Sequence, residues 1–167
     1  IERGLPVVAA ILNPSTDELF TAVRGGGLFL NGARVTLSPP QSFDPVIMVG
    51  AWEFRSDRWA TLTETTRCRP MYSIAHALAM VAAGRVQAVL TIEPEHEWDV
   101  AAGVLLIEES GGRVGDGAGN PFVFNQPLPK FRGVLSVSAT ADTNLHDVLQ
   151  AHAEHARSQP ERKRAAP

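Results

Sequence analysis

The chain has 167 residues, 44% hydrophobic and 20% charged, with a formal net charge of −3 and a pI near 5.9. That length suits one domain with a real core, and the acidic balance argues against a nucleic-acid polymer as partner. No apolar run approaches the ~20 residues of a membrane span, no signal peptide opens the chain, and the single Cys68 cannot form an internal disulfide. A soluble cytoplasmic protein with no membrane partner is the expectation.

The chain enters an apolar stretch within a few residues of Ile1, which reads as the middle of a domain. Leu5 to Leu12 is a nearly continuous apolar run, expected to be a strand buried on both faces. Glu18 to Val23 is a second strand, Leu28 to Leu30 a third, and Ala33 to Leu37 a fourth. Asn31-Gly32 between the last two is the strongest short hairpin signal. The meander leaves through Ser38-Pro39-Pro40. Arg24-Gly25-Gly26-Gly27 lacks the Gly-Lys-Ser/Thr and the helix of a phosphate loop, so it reads as structural.

From Val46 onward strands and helices alternate, the mark of a layered α/β or α+β domain with a mixed sheet. Strands are expected at Val46–Ala51, Arg67–Met71 and Val86–Ile92, and shorter ones around Val114, Phe122–Phe124 and Gly133–Val137. Helices are expected at Ser56–Thr65, from Ser73 to Gly84, at Trp98–Ser110, and from Asp142 to about His155. Residues 1–155 form the domain, and the basic, proline-bounded residues 156–167 a disordered tail. Cys68, between Arg67 and Arg69, reads as a structural thiol in a strand.

Three places carry candidate chemistry. Tyr72-Ser73 opens a helix whose amides favour an anion, although serine is also an ordinary helix cap. Glu93-Pro94-Glu95-His96-Glu97 is a charged loop, able to form a substrate lip but without zinc-ligand spacing. Asp99 stands at the start of a helix that ends at Gly111-Gly112. It reads either as an N-cap to the amides of Ala101 or Ala102, or as a ligand for a hard cation such as Mg²⁺ beside a phosphate. No Gly-x-Ser-x-Gly elbow is present, and His76 reads as a packed or surface residue.

Glu97-Trp98-Asp99-Val100-Ala101-Ala102-Gly103, followed by Glu108-Glu109-Ser110-Gly111-Gly112, resembles the C-terminal signature of the inositol monophosphatase family. That family includes the CysQ-type 3′(2′),5′-bisphosphate nucleotidases. Pro6-Val7-Val8 through Asn13-Pro14, Asp17 to Ala22, Gly25 to Gly32 and Val81 to Arg85 are similar to further family segments, in family order. The resemblance implies a layered αβαβα sandwich of the sugar-phosphatase type, α/β (α+β) in class, of which this chain holds the C-terminal part. It implies a Mg²⁺-dependent phosphomonoesterase acting on inositol monophosphate or a 3′-phosphoadenosine 5′-phosphate-like small substrate, and a possible homodimer.

By that resemblance Asp99 ligates the metal and lies near substrate, Tyr72-Ser73 matches a backbone substrate contact, and Glu93 lies near a glutamate that binds substrate hydroxyls. Tyr72 replaces a family glycine, so either this contact is expected to be altered or the pocket narrowed. The family's upstream Gly-Glu-Glu and Asp-Pro-x-Asp-Gly-Thr metal-ligand segments do not occur in this sequence. The chain alone is therefore expected to be inactive, with a non-catalytic short homologue used for binding or assembly as the alternative.

Overall fold

A computed structural model describes residues 1–38 and 45–159. Pro39-Pro40 of the meander's exit, and the tail from Pro160 onward, lie outside the described residues. Four strands, β1 (Val8–Asn13), β2 (Glu18–Val23), β3 (Gly27–Leu30) and β4 (Ala33–Arg34), form an antiparallel sheet in that order. The hairpin between β3 and β4 turns at Asn31 and Gly32, both with positive φ, as a two-residue primed turn requires. β1 is not buried on both faces. Its exposure alternates along the strand, because one face of the sheet packs on helices of the core and the other, with Val8 and Leu12, is turned outward.

The second sheet has the order β6-β5-β7-β9-β8, built from β5 (Val46–Gly50), β6 (Arg67–Met71), β7 (Ala88–His96), β8 (Arg113–Asp116) and β9 (Lys130–Val137). β5, β6 and β7 run parallel, while β9 is antiparallel to both β7 and β8. α2 (Ile74–Ala82) and α3 (Glu97–Glu109) lie between the two sheets. α1 (Ala60–Thr65) and α4 (Leu145–Ser158) cover the other face of the second sheet. The described residues thus supply four layers, sheet, helices, sheet, helices, within the sandwich class that the sequence suggests.

Three differences from the sequence reading have clear causes. Glu93 to His96 is strand rather than loop, since β7 continues through a bulge between Thr91 and Pro94 and stays paired with β9. A bulge is where a proline is tolerated in a ladder. Phe122–Phe124 forms no strand; Phe122 and Phe124 pack on Phe131 instead, an alternation that imitates strand periodicity. α4 runs to Ser158 with Ala156 fully buried, so residues 156–158 belong to the domain and not to a tail.

α3 ends in a tight glycine stop: the Gly112 amide donates to Ile107 O and the Gly111 amide to Glu108 O, with Gly111 at φ 81°. The triple-glycine turn is structural, as its context suggests. The Gly25 and Gly27 amides donate to the Glu109 carboxylate at 2.7 Å each, so the anion held there is the protein's own. Cys68 lies in β6 half-buried, and burial pushes its thiol up to about 11 despite the flanking arginines. Among the described residues no helix is long and apolar enough to cross a membrane.

Candidate functional site

Parallel strands place open backbone ends and helix starts on one edge of a sheet, where ligands of such folds bind. Here β5 pairs with β7 only over Ile47–Val49, and past that point β7 runs on paired with β9 alone. The gap opens a cleft of about 490 Å³ at the carboxyl ends of β5, β6 and β7. Its walls carry Gly50–Glu53, Met71–Ala75, Thr91, Glu93, Glu95 and Asp99. Tyr72-Ser73, Glu93 and Asp99, from three separate places in the sequence, are brought together in it.

Ser73 is the N-cap of α2, its hydroxyl accepting the His76 amide at 3.3 Å. Ile74 and Ala75, the first two residues of α2, line the cleft, and amides of a helix's first turn have no partner within the helix. Tyr72 is 82% exposed and lines the cleft together with an exposed Trp52.

Asp99 is not the cap of α3. The cap position belongs to His96, which makes no side-chain cap bond, and Asp99 is the third helical residue. Its side chain is 44% exposed and meets His96 Nδ1 at 3.6 Å, while the His96 ring stacks on Trp98. The small residues after it serve packing rather than ligand approach, since a Cβ at Gly103 would sit 2.6 Å from Leu78 Cβ of α2. That close crossing brings both helix N-termini to one cleft.

Glu93 and Glu95 share one face of β7, so both point to the cleft. Glu97 turns away. Its carboxylate accepts the amides of Asn125 at 2.8 Å and Gln126 at 3.0 Å, anchoring that connection to the start of α3. His76 is part of the packing, within 3.2 Å of Asn13 Nδ2.

Glu53 is the residue that sequence reasoning missed, because it lies in no motif. It sits in a short 3-10 turn, Glu53–Arg55, directly after β5, and only 3% of it is exposed. Its Oε1 accepts the Ile92 amide at 2.7 Å, supplying the acceptor that β5 would have offered had it continued. A Cβ at Gly50 would lie 2.4 Å from Glu53 Oε2, so glycine there makes room for the carboxylate. Burial raises its pKa, and the Thr91 hydroxyl and Ile92 amide reverse this only in part.

Glu95 is pushed up to about 7, first by burial and then by the charges of Asp99, Glu53 and Glu93. The folded state thus holds a proton that the unfolded chain releases near the ordinary carboxylate pKa, and stability falls as pH rises from about 4.5 through 7. Since the residue is half-buried, solvent screening reduces the effect to about 1–2 kcal/mol. Urea unfolding without divalent cations checks this: Glu95→Gln gains that stability over the parent at pH 8 and none at pH 4.5. Equal gains at both values would show the carboxylate unperturbed.

Asp99 offers a hard oxygen donor to the cleft, but among the described residues no group of three His, Cys, Asp or Glu side chains is arranged to hold a metal ion. The described residues therefore fit one ligand of a Mg²⁺ site and do not close the site.

A layered α/β protein with a cleft at parallel strand ends, flanked by two helix starts and a carboxylate, belongs to a small-ligand-binding class. Residues 1–158 match the model of the inositol monophosphatase family, and the chain belongs to that family. The Nus factor SuhB of Escherichia coli K12 is 36% identical over 156 aligned positions, which take in 80% of this chain and 58% of that protein. Inositol-1-monophosphatase of Rhizobium meliloti is 38% identical over 130, covering 71% of this chain and 48% of that one. Among solved structures, an IMPase of Thermotoga maritima superposes with a TM-score of 0.77 at 25% identity, across 95% of this chain and 59% of the other. The chain thus spans about half the length of the curated relatives it matches.

Proposed function

We propose that the protein containing these residues is a Mg²⁺-dependent phosphomonoesterase for a small phosphorylated substrate, inositol monophosphate or a 3′-phosphoadenosine 5′-phosphate-like compound. The observation that carries this reading is Asp99: an exposed carboxylate in a cleft that also receives the N-termini of α2 and α3. The free amides of Ile74 and Ala75 would bind phosphate oxygens, with Tyr72-Ser73 positioning that turn. Glu93 would accept hydroxyl protons of the substrate alcohol. A bound divalent cation supplies Lewis-acid stabilisation of the phosphoryl group and an activated water; Asp99 would be one of its ligands. Its other ligands would come from outside the described residues, and this chain alone is expected not to turn over.

The test compares phosphate release from inositol 1-phosphate and 3′-phosphoadenosine 5′-phosphate, with Mg²⁺ or with chelator. One arm uses this chain, the other a protein completed to the length of its relatives. Turnover is expected only in the completed protein with Mg²⁺; robust turnover by the chain alone would refute the account of the missing ligands. Relatives bearing the name Nus factor favour a second reading, a non-catalytic family member used for binding or assembly. Its signature is a completed, folded protein with no turnover of any phosphomonoester. A cytoplasmic, dimeric protein accords with either reading.

A further inference from the structure

We propose that Asn31 is a deamidation site held shut by the folded hairpin, so that the modification marks molecules in which the turn between β3 and β4 has opened. Asn31 is the only one of the five asparagines followed by glycine. Asn13 and Asn120 precede prolines, while Asn125 and Asn144 precede Gln126 and Leu145. The reaction needs the next backbone nitrogen to attack the side-chain carbonyl carbon. Proline has no N–H to give up, and the side chains of glutamine and leucine hinder the approach. At Gly32 a Cβ would meet only open space, so nothing obstructs the nitrogen.

The Gly32 nitrogen forms a bond to Asn31 Cγ, its proton leaves with the side-chain nitrogen as ammonia, and a five-membered succinimide closes. Water then adds to either ring carbonyl, giving aspartate or isoaspartate. No oxidant, reductant or cofactor takes part.

Residue type makes this site fast, and the structure makes it slow. Asn31 has φ 49° and Gly32 φ 78°, the left-handed pair of a primed turn. Ring closure requires the Asn31 ψ to swing far from its left-handed value of about +47°. Three hydrogen bonds oppose that rotation. Oδ1 accepts the Leu19 amide at 2.8 Å, Nδ2 donates to Asp17 O at 2.9 Å, and the Asn31 amide donates to Leu19 O at 2.9 Å. The Leu19 bond polarises the carbonyl under attack, which favours the chemistry, but the ring cannot form until the bonds part. Local opening of the hairpin therefore sets the rate.

The product does not fit the turn it came from. Aspartate and isoaspartate both lack the N–H that Asp17 O accepts, and isoaspartate adds a backbone carbon to a two-residue turn that fixes Leu30 against Ala33. The same hairpin carries Arg34, whose Nη1 donates to Gly26 O at 2.9 Å, within the glycine turn that holds Glu109. A hairpin that fails to close withdraws that brace.

Incubation of the 167-residue chain at pH 8 in ¹⁸O-water, followed by mass spectrometry of the tryptic peptide 25–34, tests this. Deamidation should be at least about tenfold slower in the folded chain than in the same chain unfolded by urea. Arg34→Ala removes an exposed brace and leaves the Asn31 bonds in place. It should raise the folded-state rate at least about threefold, in step with faster hydrogen exchange of the Leu19 amide. Equal rates in the folded and unfolded chain would overturn the guarding, and no reaction in urea would end the site itself. A folded-state rate that ignores Arg34→Ala and follows only global unfolding would overturn the role of the hairpin.

Discussion

Asp99→Asn in the completed protein lowers Mg²⁺-dependent phosphate release more than about a hundredfold, beyond the 10–100-fold typical of losing an outer partner of a metal ligand. The substitution keeps size and shape while removing the charge a hard cation requires. The fold should scarcely notice. The side chain is 44% exposed, and its pairing with His96 at 3.6 Å is a surface contact of small value. Activity is thus expected to collapse while the urea midpoint stays put, a separation a structural role would not produce. Magnesium titration supplies the second readout, since the apparent requirement should rise if any turnover survives. Full activity in the variant would remove Asp99 from the metal.

Gly103→Val should cost at least about 3 kcal/mol, a large share of the 5–15 kcal/mol that holds a typical domain together. A Cβ at this position would stand 2.6 Å from both Cβ and Cδ1 of Leu78. The first of these is fixed to the α2 backbone, so relief requires the helices to part, and overpacking of this kind commonly costs 1–3 kcal/mol for smaller additions. Leu78→Ala alone should also destabilise, by about 2–5 kcal/mol, because Leu78 is fully buried. Combined, the two changes should cost less than their sum by about 0.5–3 kcal/mol. Chemical denaturation of the four proteins measures that coupling; strict additivity would mean the crossing does not depend on glycine.

Much of this fold is legible in the sequence where local and global preferences agree. β2 begins and ends where its pattern does, and Asn31-Gly32 turns as its chemistry demands. Tyr72, Ser73, Glu93 and Asp99, all legible as candidates in the sequence, line one cleft. What stayed hidden depends on contacts distant in sequence. Glu93 to His96 reads as a loop because carboxylates and Pro94 are poor strand formers, yet pairing with β9 holds it extended. Glu53 gives no local sign of its role, which arises only because β5 stops short beside Ile92. Nor does Glu97 announce that it faces away from its neighbours, toward Asn125 and Gln126.

The two carboxylates at opposite ends of α3 make that helix a lever. Glu97 fastens one end near the cleft, and Glu109 fastens the other to a glycine turn in a different sheet. Thirteen helical residues span about 20 Å, so a tilt of ~3° at the far mooring swings the near end by about 1 Å. That displacement is enough to cost a reaction about a hundredfold. The position of Asp99 is therefore answerable to a glycine turn about 20 Å away in the other sheet.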